Sequence, residues 1–130
     1  TPQHIAAEKR AQPLNVPMIC LNIIDEFKSL VPVKHALYQQ NIAYFDELAR
    51  GYIAEIVKHV DYRNKCVREN VCVDGSFDDE TSNGRMVNPG HAIEAAWFLR
   101  EYVRKYGDGN GGGKQAMNAL TRNIFEWSFE

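Results

Sequence analysis

The chain has 130 residues, 45% of them hydrophobic and 25% charged, with a formal net charge of -2. That is chain enough for one globular unit, and the balance argues against nucleic acid as a partner, since no basic cluster with interleaved aromatics is present. No apolar run approaches the ~20 residues that span a bilayer, so no membrane partner is expected.

The start, Thr1-Pro2-Gln3-His4, lacks the charged end and apolar middle of a signal peptide. The three cysteines, Cys20, Cys66 and Cys72, form no Cys-x-x-Cys pair and have no histidine at a ligand spacing. They read as reduced, mostly buried residues, with no metal site, and a cytoplasmic location fits.

Residues 1–12 read as loop or the tail of a preceding helix. Pro13 and Pro17 bracket a loop with Asn15 near a cap. A helix is expected over 16–29, with Ile19, Ile23, Ile24 and Phe27 supplying most of its apolar surface and Met18, Leu21, Asn22 and Asp25 on another side. It is too apolar for an exposed helix and reads as an inner one. Val31-Pro32-Val33 breaks it.

A long amphipathic helix is expected over 35–60. Leu37, Ile42, Phe45, Leu48, Ala49, Tyr52, Ile53, Ile56 and Val57 recur at three- and four-residue steps, with Asp46 on the polar side. His35 and His59, near its ends, read as solvated. After a turn at 61–64, residues 66–73 alternate as a strand, with Val67, Glu69, Val71 and Val73 on one side. A carboxylate among valines needs a partner or a task.

Residues 74–84 form an acidic loop with turn signals at Asp74-Gly75 and Asn83-Gly84. It is not a calcium loop, because Asp79 stands where the glycine is required and Arg85 where the final glutamate is. A hairpin ending near 85–87 delivers the chain to the next helix, expected over 89–106. Ala92, Ala96, Leu99 and Val103 are its packing stripe. The glycine-rich run 107–113 is a connector and lacks a phosphate loop's ending. A last helix is expected from Lys114, with Met117, Leu120, Ile124, Trp127 and Ser128 along one side.

The most informative run is Asn88-Pro89-Gly90-His91-Ala92-Ile93-Glu94-Ala95. Asn88 can cap a helix, and Pro89 suits its first position. His91 and Glu94, three residues apart, then project from one face of the first turn. The free N–H groups and positive field of a helix start suit a proton-accepting imidazole and an ionised carboxylate. These residues alone allow two readings, a hydrogen-bonded core histidine beside a first-turn glutamate or a proton-transfer pair.

The run Gly84-Arg85-Met86-Val87-Asn88-Pro89-Gly90-His91-Ala92-Ile93-Glu94-Ala95-Ala96-Trp97-Phe98-Leu99 resembles the signature of the N-acylglucosamine 2-epimerase family, also called renin-binding protein. Arg68-Glu69-Asn70-Val71 and Val16-Pro17-Met18-Ile19-Cys20-Leu21-Asn22 fit the same family in the same order. The resemblance implies a mainly α fold, a six-hairpin α/α toroid with a short strand or hairpin before the signature helix. Of this the 130 residues supply a single partial domain. Such a segment is expected to be poorly soluble or molten by itself.

The implied activity interconverts N-acetyl-D-glucosamine and N-acetyl-D-mannosamine, an amino-sugar substrate, by proton exchange at C2. His91 is implied as one catalytic base, with Glu94 assisting ring opening or holding His91 by hydrogen bonds. Glu69, Asn70 and Arg85 are implied as substrate contacts. For Glu69 the alternatives are a buried pair with an arginine and a polar group aimed into the sugar pocket.

The family's second histidine has no match at His4, His35 or His59, so the chain by itself is not expected to epimerise. No cofactor is required, and ATP enters only as an allosteric effector by resemblance. Leu14 and Leu21 fit a seven-residue repeat linked in the family to dimers, but Lys28 takes the next place. A zipper is therefore unsupported, and a homodimer of the complete protein rests on resemblance. The alternatives are a related sugar 2-epimerase or aldose–ketose isomerase, and a non-catalytic, renin-binding type of interaction protein.

Overall fold

Four helices form where apolar residues recur at helical steps, in a computed structural model that describes residues 10–107 and 113–130. They are α1 (Asn15–Leu30), α2 (Ala36–Lys58), α3 (Pro89–Tyr106) and α4 (Gly113–Trp127), and between and before them lie the short strands β1 (Ala11–Pro13), β2 (Val60–Asp61), β3 (Cys66–Val67) and β4 (Asn70–Cys72). The chain is mainly helical, as expected. The residues 1–9 and 108–112 named in the sequence reading lie outside the described residues, including most of the glycine-rich run.

The helices pack in series, α2 on α1, α1 on α3 and α3 on α4. Late α1 meets late α3, through Lys28 on Tyr102 and Lys105 on Asp25. The two central helices therefore run parallel and begin at the same end. Leu14, Leu21, Leu99, Val103, Ile56 and Ile124 are fully buried between the layers. Burying an aliphatic side chain of this size contributes about 1.5–3 kcal/mol. The α3 stripe of Ala92, Ala96, Leu99 and Val103 is buried as expected.

The face of α1 differs from the expectation. Ile19 and Ile23 are exposed, and Met18, Leu21, Ile24, Asp25 and Lys28 turn inward. A helix apolar nearly all round does not declare its buried side. Here the side is chosen by ion pairs, Asp25 with Lys105 and Lys28 with Asp46. Asp46 accordingly leaves the polar side of α2 on which it was expected. Burial and the Asp46 carboxylate push the Tyr102 phenol well above its ordinary range. Leu14 and Leu21 are consumed by this core rather than left as a seam.

The strands gather where α1 and α3 begin. Residues 66–73 do not make one strand. β3 pairs antiparallel with β2, Val60 opposite Val67, whereas β4 pairs antiparallel with β1, Val71 opposite Gln12. Residues 11–12, expected as loop or helix tail, are thus strand. Between β3 and β4 the chain bridges Arg68 to Val87, where the hairpin return was expected. The alternation holds for buried Val67 and Val71 and fails at exposed Val73.

His59 is the clearest correction. It is 1% exposed rather than solvated, and its Nδ1 lies 2.9 Å from the Arg68 carbonyl oxygen. The backbone closes the other side, Arg68 N–H donating to the His59 carbonyl at 2.8 Å. His35 is exposed as expected and caps α2, accepting from the Leu37 N–H at 3.1 Å. Cys72 is buried, and Cys20 and Cys66 are half-buried; all three are free thiols. Among the described residues no helix is long and apolar enough to cross a membrane.

Candidate active site

The first turn of α3 is built as its sequence dictates. Asn88 is extended, and its side-chain oxygen accepts the His91 N–H at 3.3 Å. Pro89 stands at the first helical position, where no N–H is needed. At Gly90 a Cβ would come within 3.2 Å of the Asn88 side-chain oxygen, so glycine leaves room for the cap. His91 emerges from this turn with its side chain 42% exposed.

The partner of His91 is Glu69. Its two carboxylate oxygens lie 3.0 and 3.1 Å from His91 Nδ1, and its side chain is only 13% exposed. Its backbone is clamped from both sides, the N–H donating to the Met86 carbonyl at 2.9 Å and the carbonyl accepting from the Leu14 N–H at 2.8 Å. The carboxylate among valines is therefore paired, with a histidine rather than an arginine.

Glu94 is exposed and makes no hydrogen bond to His91. Asn70 donates to the Asn83 carbonyl at 3.1 Å. Arg85, exposed, donates to the Asp79 carbonyl at 2.8 Å. Of the five expected site residues, then, Glu69 and His91 are joined directly. Asn70 and Arg85 are engaged in the adjoining loop, and Glu94 stands in solvent.

Beneath this pair lies a buried ionic group that sequence reading did not single out. Arg68 Nε and Nη2 donate to Asp61 Oδ2 at 3.0 and 2.7 Å. Nη2 also donates to Asp79 at 2.9 Å and Nη1 to the Gly84 carbonyl at 3.2 Å. Burial alone would raise the Asp61 carboxyl, but two hydrogen bonds from Asn64 and the pairing with Arg68 outweigh it and hold it below the usual carboxylate range. Burial would likewise lower Arg68, and its bonds to Asp61 and Asp79 raise it above its ordinary value.

Burial lowers His59 below the usual imidazole value. Burial and the Asp61 carboxylate push the Cys66 thiol up, which suits a packed thiol rather than a nucleophile. The available signal was Arg68 itself, a charge in a valine-rich run.

Because adjacent residues of an extended chain point to opposite sides, anchoring Arg68 inward turns Glu69 toward His91. A carboxylate-held imidazole, partly open at the head of a helix, can accept and return protons. Cavities near it are small. One of about 100 Å³ lies behind the start of α3, lined by Val87, Asn88, Pro89 and Ala92 among others. Two larger grooves of about 420 and 440 Å³ run along Trp97 and Phe125 and along Tyr44 and Tyr52, and neither includes His91. Among the described residues no group of three or more His, Cys, Asp or Glu is arranged to hold a metal ion.

No protein-family model matches the chain. It is 32% identical over 97 residues to N-acylglucosamine 2-epimerase of Mus musculus, 34% over 101 residues to that of Bos taurus and 31% over 98 residues to that of Homo sapiens. Each match takes in 75% of this chain and spans 21% of the relative's length. Over three quarters of its length, the chain is therefore a relative of the N-acylglucosamine 2-epimerases, the family its Asn-Pro-Gly-His run resembles.

Proposed function

We propose that the complete protein interconverts N-acetyl-D-glucosamine and N-acetyl-D-mannosamine, with His91 as one of its proton-transfer groups. The chemical task is to invert C2. Its C–H becomes acidic once the ring opens and an aldehyde stands beside it. A base then takes the proton, an enolate forms, and a proton returns to the opposite face. The observation that carries the reading is His91 itself, half-exposed and carboxylate-held at the end where α1 and α3 both begin.

Parallel central helices backed by α2 and α4 support two adjacent hairpins of an α/α toroid whose mouth lies at that end. The walls of a hexose pocket, typically about 300–1,000 Å³, and the second base belong in this reading to parts of the complete protein outside these 130 residues. Glu94, exposed one turn on, is the carboxylate available to assist ring opening. Asn70 and Arg85 would reach a sugar by exchanging their loop bonds for it.

The test is incubation of the complete protein with N-acetylmannosamine in D2O, following the C2 epimer and C2 deuteration by NMR. Epimer with deuterium at C2 is expected. His91→Asn should bind sugar and turn over none of it. Failure of C2 exchange in the native protein, or normal turnover by His91→Asn, would refute the proposal.

A further inference from the structure

We infer that Glu69 is the positioning residue of the site, fixing His91 as the Nδ1–H tautomer so that Nε2 alone exchanges the proton. This deepens the epimerase reading and rests on it for the reaction, though not for the tautomer. It also replaces a sugar-contact role for Glu69.

An ionised carboxylate has only acceptors to offer. With both Glu69 oxygens within 3.1 Å of Nδ1, that nitrogen carries the hydrogen. In the neutral ring the lone pair is then on Nε2, which makes no hydrogen bond among the described residues. Glu69 cannot easily be the sugar's partner as well. It is largely buried, and its main chain is clamped by Met86 and Leu14. The next residue back, Arg68, is anchored through Asp61, Asp79 and Gly84. The carboxylate is thus delivered by a rigid strand connection rather than by a mobile side chain of α3. The imidazole it orients is the more exposed member of the pair. An orienting carboxylate behind a working imidazole is the arrangement that keeps one ring nitrogen available and aimed.

The experiment has two arms. In the first, two-bond ¹H–¹⁵N correlation spectra of the protein, with the His91 signal assigned through His91→Asn, report which nitrogen bears the hydrogen. Nδ1–H is expected in the native protein, and Nε2–H should grow in Glu69→Leu. Nε2–H in the native protein overturns the inference.

In the second arm, Glu69→Leu and Glu69→Gln are assayed with N-acetylmannosamine. The leucine variant should lose up to about 10⁴-fold in kcat, the scale of loss when the carboxylate behind a general-base histidine is removed, with KM held. The glutamine amide can offer Nδ1 a donor as well as an acceptor, so Glu69→Gln keeps the shape without fixing the tautomer and should not restore kcat. A raised KM with intact kcat in either variant would make Glu69 a sugar contact and overturn the inference. If the native protein shows Nδ1–H yet turns over no amino sugar, the epimerase reading fails and the positioning role stands.

Discussion

Arg68 is where stability and site geometry meet, and replacing it with methionine tests both. Asp61 is 3% exposed. Without the guanidinium it retains the Asn64 N–H at 3.0 Å and the Asn64 amide at 2.8 Å and loses its counter-ion. Breaking a buried pair from one side costs about 3–5 kcal/mol, because an uncompensated charge stays behind. The Asp79 side chain is 69% exposed, so losing that contact adds at most about 1 kcal/mol.

Arg68→Met should therefore lower unfolding free energy by about 3–5 kcal/mol, a large share of a typical domain's ~5–15 kcal/mol. Asp79→Asn should stay below about 1 kcal/mol. In Arg68→Met combined with Asp61→Leu no charge is stranded, so the double variant should be no less stable than Arg68→Met alone. The assay is urea unfolding of the complete protein followed by helical circular dichroism, with midpoints compared at equal slope. If Arg68→Met costs no more than Asp79→Asn, or the two buried changes simply add, the ion pair is not the desolvated anchor described above.

Gly84→Ala would drive a Cβ into the Asp78 carbonyl oxygen. The loop must move, and a loss of about 1–3 kcal/mol is expected; Gly51→Ala, with nothing within 4 Å of the new Cβ, should gain about 0.5–1 kcal/mol in the same unfolding assay. His59 has a folded value below its ordinary 6.5, so the unfolded chain binds the extra proton. The stability this group contributes is complete above about pH 6.5 and is lost as pH falls through the folded value, at up to about 1.4 kcal/mol per pH unit. Urea midpoints of native protein and His59→Asn should converge on acidification, and parallel curves would count against a buried neutral ring. Lys28→Met should cost less than Arg68→Met, because Asp46 is left partly in water whereas Asp61 is not; equal losses would contradict that ranking.

The helices were legible because their signals are local. Asn88-Pro89 fixes where α3 begins, and the glycine after Tyr106 ends it, so the expected span and the observed one coincide. Local signals also found β3 and β4, but not that they belong to different partners. That division depends on Arg68 meeting Asp61, a contact made by the fold. His59 failed for a related reason. Its place at the end of an amphipathic helix suggests solvent, yet β2 begins at the next residue and folds the chain back over the ring. In α1 the difficulty was excess rather than lack of signal, since apolar residues on several sides leave the inner face marked by Asp25 and Lys28, the two residues that form ion pairs there.

The site shows the same limit at closer range. Spacing along α3 nominates Glu94 as the neighbour of His91, because helix geometry brings the i+3 side chain near. Reach is not the deciding quantity. A first-turn glutamate in water keeps its hydration and its rotamers, and holding an imidazole would surrender both. Glu69 has already given them up, since its backbone is bonded on both sides and its side chain is largely buried. Little further ordering is required for it to bind the ring. The carboxylate 22 residues away therefore wins over the one three residues away, and a pairwise reading of helix positions has no means of seeing that competition.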